Sequence, residues 1–273
     1  MNSTPTSHPR PLTRRQWALV ALAAALAVPL LFSAGRWVWR NIIRPPAEQP
    51  MLPYGELRVG IDASYPPFGL DINGELSGLD VDLARAVAEE MGVPLRFVNM
   101  GYDGLYDSLR ADQVDVLFSA LRVDPLRTND ARYTVSYFDA GQVLVRPPDS
   151  GIETLYDMDG KTLAVEFGTE GDLEARRWQR RLHVLNVMPF DVASEALAAV
   201  LAGEADAALV DAISARLWLR EHEGLAIAPE YVTHDPYAAA VQVGNARLWE
   251  AINAALVRLI EDGTVDRIIM RWL

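Results

Sequence analysis

No cysteine occurs among the 273 residues. Disulfides and thiolate metal sites are therefore excluded, and redox chemistry leaves no mark of the compartment on the chain. A cysteine-linked lipid anchor is excluded for the same reason. Lysine is nearly absent, Lys161 being the one lysine among 25 basic residues. Histidine is scarce, and His8, His183, His222 and His234 show neither an i,i+4 pair nor zinc-ligand spacing. There is no G-x-S-x-G elbow and no phosphate-binding loop, so no cofactor is implied. Asp71, Asn73, Glu75, Ser77 and Asp82 carry oxygen ligands in the manner of a calcium loop, but Leu76 stands where that loop needs glycine.

Positive charge is missing where a nucleic acid would need it. Six arginines against Glu48 give residues 1–50 a charge of +5, which leaves −17 on residues 51–273 out of a total of −12. Phosphate backbones are bound by neutralisation with Lys and Arg, so nucleic-acid binding is set aside. At 50% hydrophobic composition the chain can bury one large core or two modest ones.

The one long stretch free of charge runs from Gln16 to Gly35. As a helix it spans roughly 30 Å, about a bilayer core, with Trp17, Trp37 and Trp39 at its ends, where amphipathic rings favour the interface. A cleavable signal peptide is the competing reading, with Arg14 and Arg15 before the apolar run and Ser33-Ala34-Gly35 as the cleavage site. The run exceeds the usual apolar region of about 7–15 residues, which favours an uncleaved anchor over 16–40. Residues 1–15 are then cytoplasmic. Pro45, Pro46, Pro50 and Pro53 make 41–53 an extended spacer. Flanking arginines are equal in number, so charge does not set the orientation.

After the spacer, Leu57 to Ile61 reads as a strand. Asp62-Ala63-Ser64-Tyr65-Pro66-Pro67-Phe68 stops it, since two prolines offer no N–H to a ladder. One carboxylate (Asp62), one hydroxyl (Ser64) and two rings (Tyr65, Phe68) are left at the strand's C-terminal end, the edge where open α/β sheets bind ligands. Asn73-Gly74 signals a hairpin. Asp80 can cap a helix with Leu83, Ala84, Val87, Ala88 and Met91 on one face, and Gly92 ends it. Strands then alternate with helices, which implies a parallel sheet. Asp124-Pro125 opens a helix carrying Arg127. The segments LYDSLRADQVDVLFSA (105–120) and ALAAVLAGEADAALVD (196–211) overlay without gaps. Each is a helix, a polar break, an aspartate (Asp115, Asp206) and a buried strand. Ala120 and Asp211 are equivalent on that overlay, so two similar lobes would bring these edges to a shared cleft.

GIDASYPPF followed by GELSGLDVDLARAVAEEMGV resembles the opening of the periplasmic amino-acid-binding proteins, solute-binding protein family 3 of ABC importers. The similarity of pattern continues from about Leu57 to Leu273. The resemblance implies a two-lobed α/β periplasmic-binding-protein-like fold of type II. Lobe 1 would cover 54–142 plus 240–273, and lobe 2 would cover 143–239. Two crossovers would lie near Gly141–Arg146 and Ala238–Val243, with hinge closure on the ligand. It also places the soluble part outside the cytoplasm, with an importer permease as partner and a polar amino acid or related small carboxylate as ligand.

Site residues follow from the same resemblance. The segment from Ser119 and Ala120 to Arg127 resembles the one whose final arginine holds the ligand's α-carboxylate, and a guanidinium suits that bidentate role. Asp211 matches the aspartate for the α-ammonium group, and it also reads as a helix cap. Asp62 and Tyr65 match the first-strand acid and the stacking aromatic, with Phe68 beside them and Tyr102 as a second aromatic wall. Thr169 follows Gly168 at the second lobe's edge. Two departures stand out: Arg122 replaces the usual Ser or Thr, and Glu170 follows Gly168-Thr169 where a hydroxyl is common. With both in the cleft, two arginines would suit a dicarboxylate. Two alternatives remain, a cyclohexadienyl-dehydratase-like enzyme on the same fold and a ligand-sensing accessory domain.

Overall fold

The computed structural model describes residues 51–127 and 129–273. The anchor and most of the spacer expected over residues 1–50 lie outside these. Among the described residues no helix is long and apolar enough to cross a membrane.

Lobe 1 opens with β1 (Leu57–Ile61), the hairpin β2 (Leu70–Ile72) and β3 (Glu75–Ser77), then α1 (Leu79–Met91), β4 (Leu95–Asn99), α2 (Leu105–Arg110), β5 (Val116–Leu117) and β6 (Ala131–Asp139). Lobe 2 follows with β7 (Gln142–Arg146), β8 (Lys161–Glu166), α3 (Glu170–Gln179), β9 (Leu185–Phe190), α4 (Ala193–Leu201), β10 (Ala207–Asp211), α5 (Ala212–Leu219) and β11 (Ala226–Tyr231). The chain returns to lobe 1 through β12 (Pro236–Gln242) and ends with α6 (Ala246–Glu261) and α7 (Thr264–Trp272). Each lobe has one five-stranded sheet, β4-β1-β5-β12-β6 in lobe 1 and β11-β7-β10-β8-β9 in lobe 2.

All five residues of β1 are buried, because parallel neighbours pair with both of its edges and helices cover its faces. The charge of Arg58 in that strand is answered by Asp115, with Nη2 at 2.7 Å and Nε at 3.0 Å from its carboxylate. Asp115 also takes the Arg58 N–H at 2.8 Å and donates its own N–H to the Arg58 carbonyl. Lobe 2 repeats the device. Asp206 takes the Thr162 N–H at 2.8 Å and donates its N–H to the Thr162 carbonyl. The overlay of 105–120 on 196–211 thus extends to hydrogen bonds: an aspartate ahead of each buried strand clasps the backbone of the strand beside it.

Local signals hold around β1 and α1. Asn73 and Gly74 both take positive φ, 57° and 87°, which a two-residue hairpin of this type requires. Gly92 closes α1 in the left-handed region. Asp80 is a correction: Gly78 is the N-cap of α1, and Asp80 is fully buried within its first turn. The leading N–H groups of the helix already have backbone partners, Leu79 and Asp80 donating to the carbonyls of Pro67 and Phe68. The helix expected from Asp124-Pro125 is a single 3-10 turn, Pro125–Arg127.

The edge strands β6 and β11 were not among the expected elements. The sheets are mixed where a parallel sheet was expected, because β12 runs antiparallel to β5 and β6, and β7 antiparallel to β10 and β11. The chain leaves lobe 1 at Asp139–Gln142 and returns at Tyr231–Pro236. β12 is a lobe 1 strand throughout, pairing with β5 and β6, so the return falls before Pro236 and not at 239/240. The two crossing segments are tied together. Asp139 accepts the N–H groups of Gly141 (2.9 Å) and Asp235 (2.8 Å), and His234 Nδ1 lies 2.6 Å from its second oxygen. The Gln142 carbonyl accepts the Val232 N–H at 2.8 Å.

Candidate functional site

The elbow after β1 is held by its own polar groups. The Asp62 N–H donates to Ser119 Oγ at 3.0 Å, which locks the ends of β1 and β5 together. The Asp62 carboxylate accepts from Ser64 N–H (3.0 Å), Ser64 Oγ (2.7 Å) and Tyr102 N–H (2.9 Å). One acid therefore sets both the elbow and the loop that carries Tyr102. Around it lies a cleft of about 390 Å³, lined by Asp62, Ser64, Tyr65, Tyr102, Ser119, Ala120, Arg122 and Tyr237.

Tyr65 and Tyr102 are each about half exposed, at 48% and 51%, so their rings are available to a ligand. Phe68 is not: it is 1% exposed and belongs to the core. The two prolines turn the chain so that Phe68 points inward, packs against Phe138 and Tyr237, and lies parallel to Tyr65 with ring centroids 5.6 Å apart. Phe68 backs the exposed ring and does not line the cleft. Burial, helped by the negative charge of Asp211, pushes the Tyr65 hydroxyl above its ordinary pKa. Asp211 belongs to lobe 2, so its field reaches across to the lobe 1 aromatic.

Arg122 lines the cleft and is 65% exposed at its side chain, with Nη2 2.6 Å from the Asp235 carboxylate. Arg127 does not line the cleft. Its guanidinium stacks 4.3 Å from the centre of the Tyr106 ring, and Nε lies 3.5 Å from Asp124.

In lobe 2, Thr169 caps α3, accepting the Asp172 N–H and donating its hydroxyl to the Glu166 carbonyl at 2.8 Å. Glu170 is the first residue of that helix and is exposed. Asp211 caps α5, Oδ1 accepting Ile213 N–H (3.0 Å) and Ser214 N–H (2.9 Å). None of Thr169, Glu170 and Asp211 lines the cleft in this structure. A larger cavity of about 700 Å³ lies between α4 and α5, but its lining gathers none of the candidate residues. Two further residues line the cleft, Ser64 and Tyr237. Ser64 was legible as the hydroxyl beside Asp62. Tyr237 had no local signal, because it arrives on a strand from the far end of the chain.

Residues 57–273 match the family model described as Bacterial extracellular solute-binding proteins, family 3. The ABC transporter arginine-binding protein 1 of Escherichia coli (strain K12) is 28% identical over 223 residues, covering 80% of this chain and 90% of that protein. Among solved structures, the L-cystine solute receptor of Neisseria gonorrhoeae in its unliganded open conformation is 26% identical with a TM-score of 0.70, covering 80% of this chain and 92% of that one. An ancestral cationic amino acid solute-binding protein is 30% identical with a TM-score of 0.59, covering 80% and 95%.

Proposed function

Because this chain belongs to the bacterial extracellular solute-binding proteins of family 3, we propose that its cleft binds a polar amino acid, favouring a cationic side chain, and delivers it to an ABC importer. The observation that carries this reading is the charge balance around Tyr65. Arg122, the extra cation that pointed to a dicarboxylate, has its charge answered by Asp235. The Asp62 carboxylate stands beside the exposed ring, and the field of Asp211 reaches it. A cation stacked on an aromatic ring beside a carboxylate gains from both.

Roles follow from this. The side chain of the ligand lies between Tyr65 and Tyr102, with Asp62, Ser64, Ser119 and Ala120 at its edge. Closure of the lobes brings Asp211, whose Oδ2 is not used in capping, to the α-ammonium group, and Thr169 and Glu170 to the rim. Arg127 leaves the face of Tyr106 to meet the α-carboxylate. The domain reading goes with it: residues 16–40 anchor the chain, 41–53 act as spacer, and the lobes stand outside the membrane. Relatives named as arginine- and cystine-binding proteins support a binder and not an enzyme.

The test is isothermal titration of the purified full chain with L-arginine, L-cystine and L-glutamate. Micromolar or tighter binding of arginine, about −8 kcal/mol or better, with none of glutamate, is expected. Absence of heat with every proteinogenic amino acid and cystine sinks the reading, and turnover of prephenate or arogenate would replace it with the dehydratase.

A further inference from the structure

Asp80 is buried to 0% exposure in the first turn of α1, yet among the described residues its carboxylate serves neither that helix nor an ion pair. Its Oδ2 accepts the backbone N–H of Ala120 at 2.5 Å. Among the described residues its Oδ1 makes no full hydrogen bond, and neither does the hydroxyl of Tyr137 on β6, although that hydroxyl acts on the carboxyl. A buried acid in this state is costly to keep, so its position calls for a reason.

Ala120 supplies one. It takes φ +46°, a left-handed conformation that a residue with a Cβ adopts at a cost. The residues around it are those of the cleft. Ser119 fixes the Asp62 N–H, and Arg122 meets Asp235. We propose that Asp80 is a positioning residue for the cleft, its carboxylate holding the turn at Ala120 and so setting where Ser119 and Arg122 stand against the ligand. This rests on the reading of the cleft as an amino-acid site.

Tyr137 is the titratable side chain that faces Asp80, with Tyr237 beyond it acting on Tyr137. Burial pushes the Asp80 carboxyl up to about 7, against the lowering effects of Tyr137 and the Ala120 N–H. The ionised carboxylate makes the stronger, charge-assisted bond to Ala120, so the grip on the turn loosens as the group protonates.

The experiment compares the full-length wild type, Asp80→Asn and Tyr137→Phe by titration with L-arginine and L-cystine at pH 6, 7 and 8, with thermal melts alongside. The amide keeps an acceptor for Ala120 but removes the charge. Asp80→Asn is expected to weaken binding about tenfold at pH 8 and to flatten its pH dependence, while the melting temperature at pH 8 rises because a buried charge is gone. A purely structural residue would lose affinity and stability together. Tyr137→Phe removes a group that lowers the Asp80 pKa, and should move the pH at which affinity falls upward. It also keeps the proposal testable if the Asn variant fails to fold. Unchanged affinity in Asp80→Asn, a loss that parallels its melting temperature, or an unmoved midpoint in Tyr137→Phe overturns the proposal. A wild type that binds neither probe instead removes the amino-acid reading beneath it.

Discussion

The guanidinium of Arg122 and the carboxylate of Asp235 lie 2.6 Å apart, joining the floor of the cleft to the segment by which the chain returns from lobe 2. Asp235 is nearly buried and Arg122 is largely exposed, so the pair presents a cation already neutralised on one side. Asp235→Asn should free that charge. L-arginine is then expected to bind roughly three- to tenfold more weakly, and L-glutamate to gain measurable affinity by titration calorimetry. Identical constants for both ligands would remove the pair from the account of specificity.

Tyr65 presents one face to the cleft and rests the other on Phe68. Tyr65→Leu keeps apolar bulk but loses the quadrupole, and should raise the Kd for arginine about tenfold. Tyr65→Phe should cost far less, since the ring remains. If Leu and Phe behave alike, stacking is not what the ring contributes.

Asp211 can be separated into its two roles. As cap of α5 it contributes about 1 kcal/mol, which serine at the same place should largely keep. In the proposed role of carboxylate for the α-ammonium group, it would have no substitute. Asp211→Ser is therefore expected to melt within a few degrees of wild type while losing affinity on the order of a hundredfold. Retained affinity would assign the ammonium elsewhere.

Asp139 links stability to pH. Burial acts to raise its pKa, but the hydrogen bonds from Asp235, His234 and Gly141 outweigh it, and the net direction is down. A depressed carboxylate stabilises the fold above its unfolded pKa, near 3.9, and the contribution fades as pH falls through the lower folded value. Urea unfolding of Asp139→Asn should show lower stability than wild type at pH 6–7 and a shrinking difference below about pH 4. A difference independent of pH would mean that geometry, and not charge, is what Asp139 supplies.

Gly141 stands between the crossing segments with no room for a side chain, since a Cβ there would overlap the Thr233 carbonyl oxygen. Gly141→Ala should force the segments apart at a cost of about 1–3 kcal/mol. It should also change the ligand-induced compaction seen by small-angle scattering. Wild-type melting and compaction would show that the crossing yields more easily than its packing suggests.

Much of lobe 1 was legible because its signals are local. Asn73-Gly74 and Gly92 act through their own backbone angles, and β1 is named by its residues and the prolines after it. The echo between the two halves was legible too, down to Asp115 and Asp206. The misses are long-range. Asp80 has the right type and place for a cap, and its real partner, Ala120, lies 40 residues away. Of two aromatics either side of Pro66-Pro67, nothing local says that Tyr65 turns out and Phe68 in. The strand Ala131–Asp139 carries two Tyr, a Phe, a Thr and a Val, but no Gly or Pro directly flanks it as at some of the strands that were legible. Its partner β12 comes from the end of the chain. Arg127 was read from a segment pattern, which says nothing of the Tyr106 ring on which it lies.

The hydrogen bond from Val232 to Gln142 brings the first and last residues of lobe 2 side by side. In chain terms lobe 2 is a single uninterrupted insert in a loop of lobe 1, entered and left at one doorway. A short peptide joining its two ends would close it on itself, and a similar splice would heal lobe 1. The molecule can thus be cut into two halves at a place where the backbone already meets.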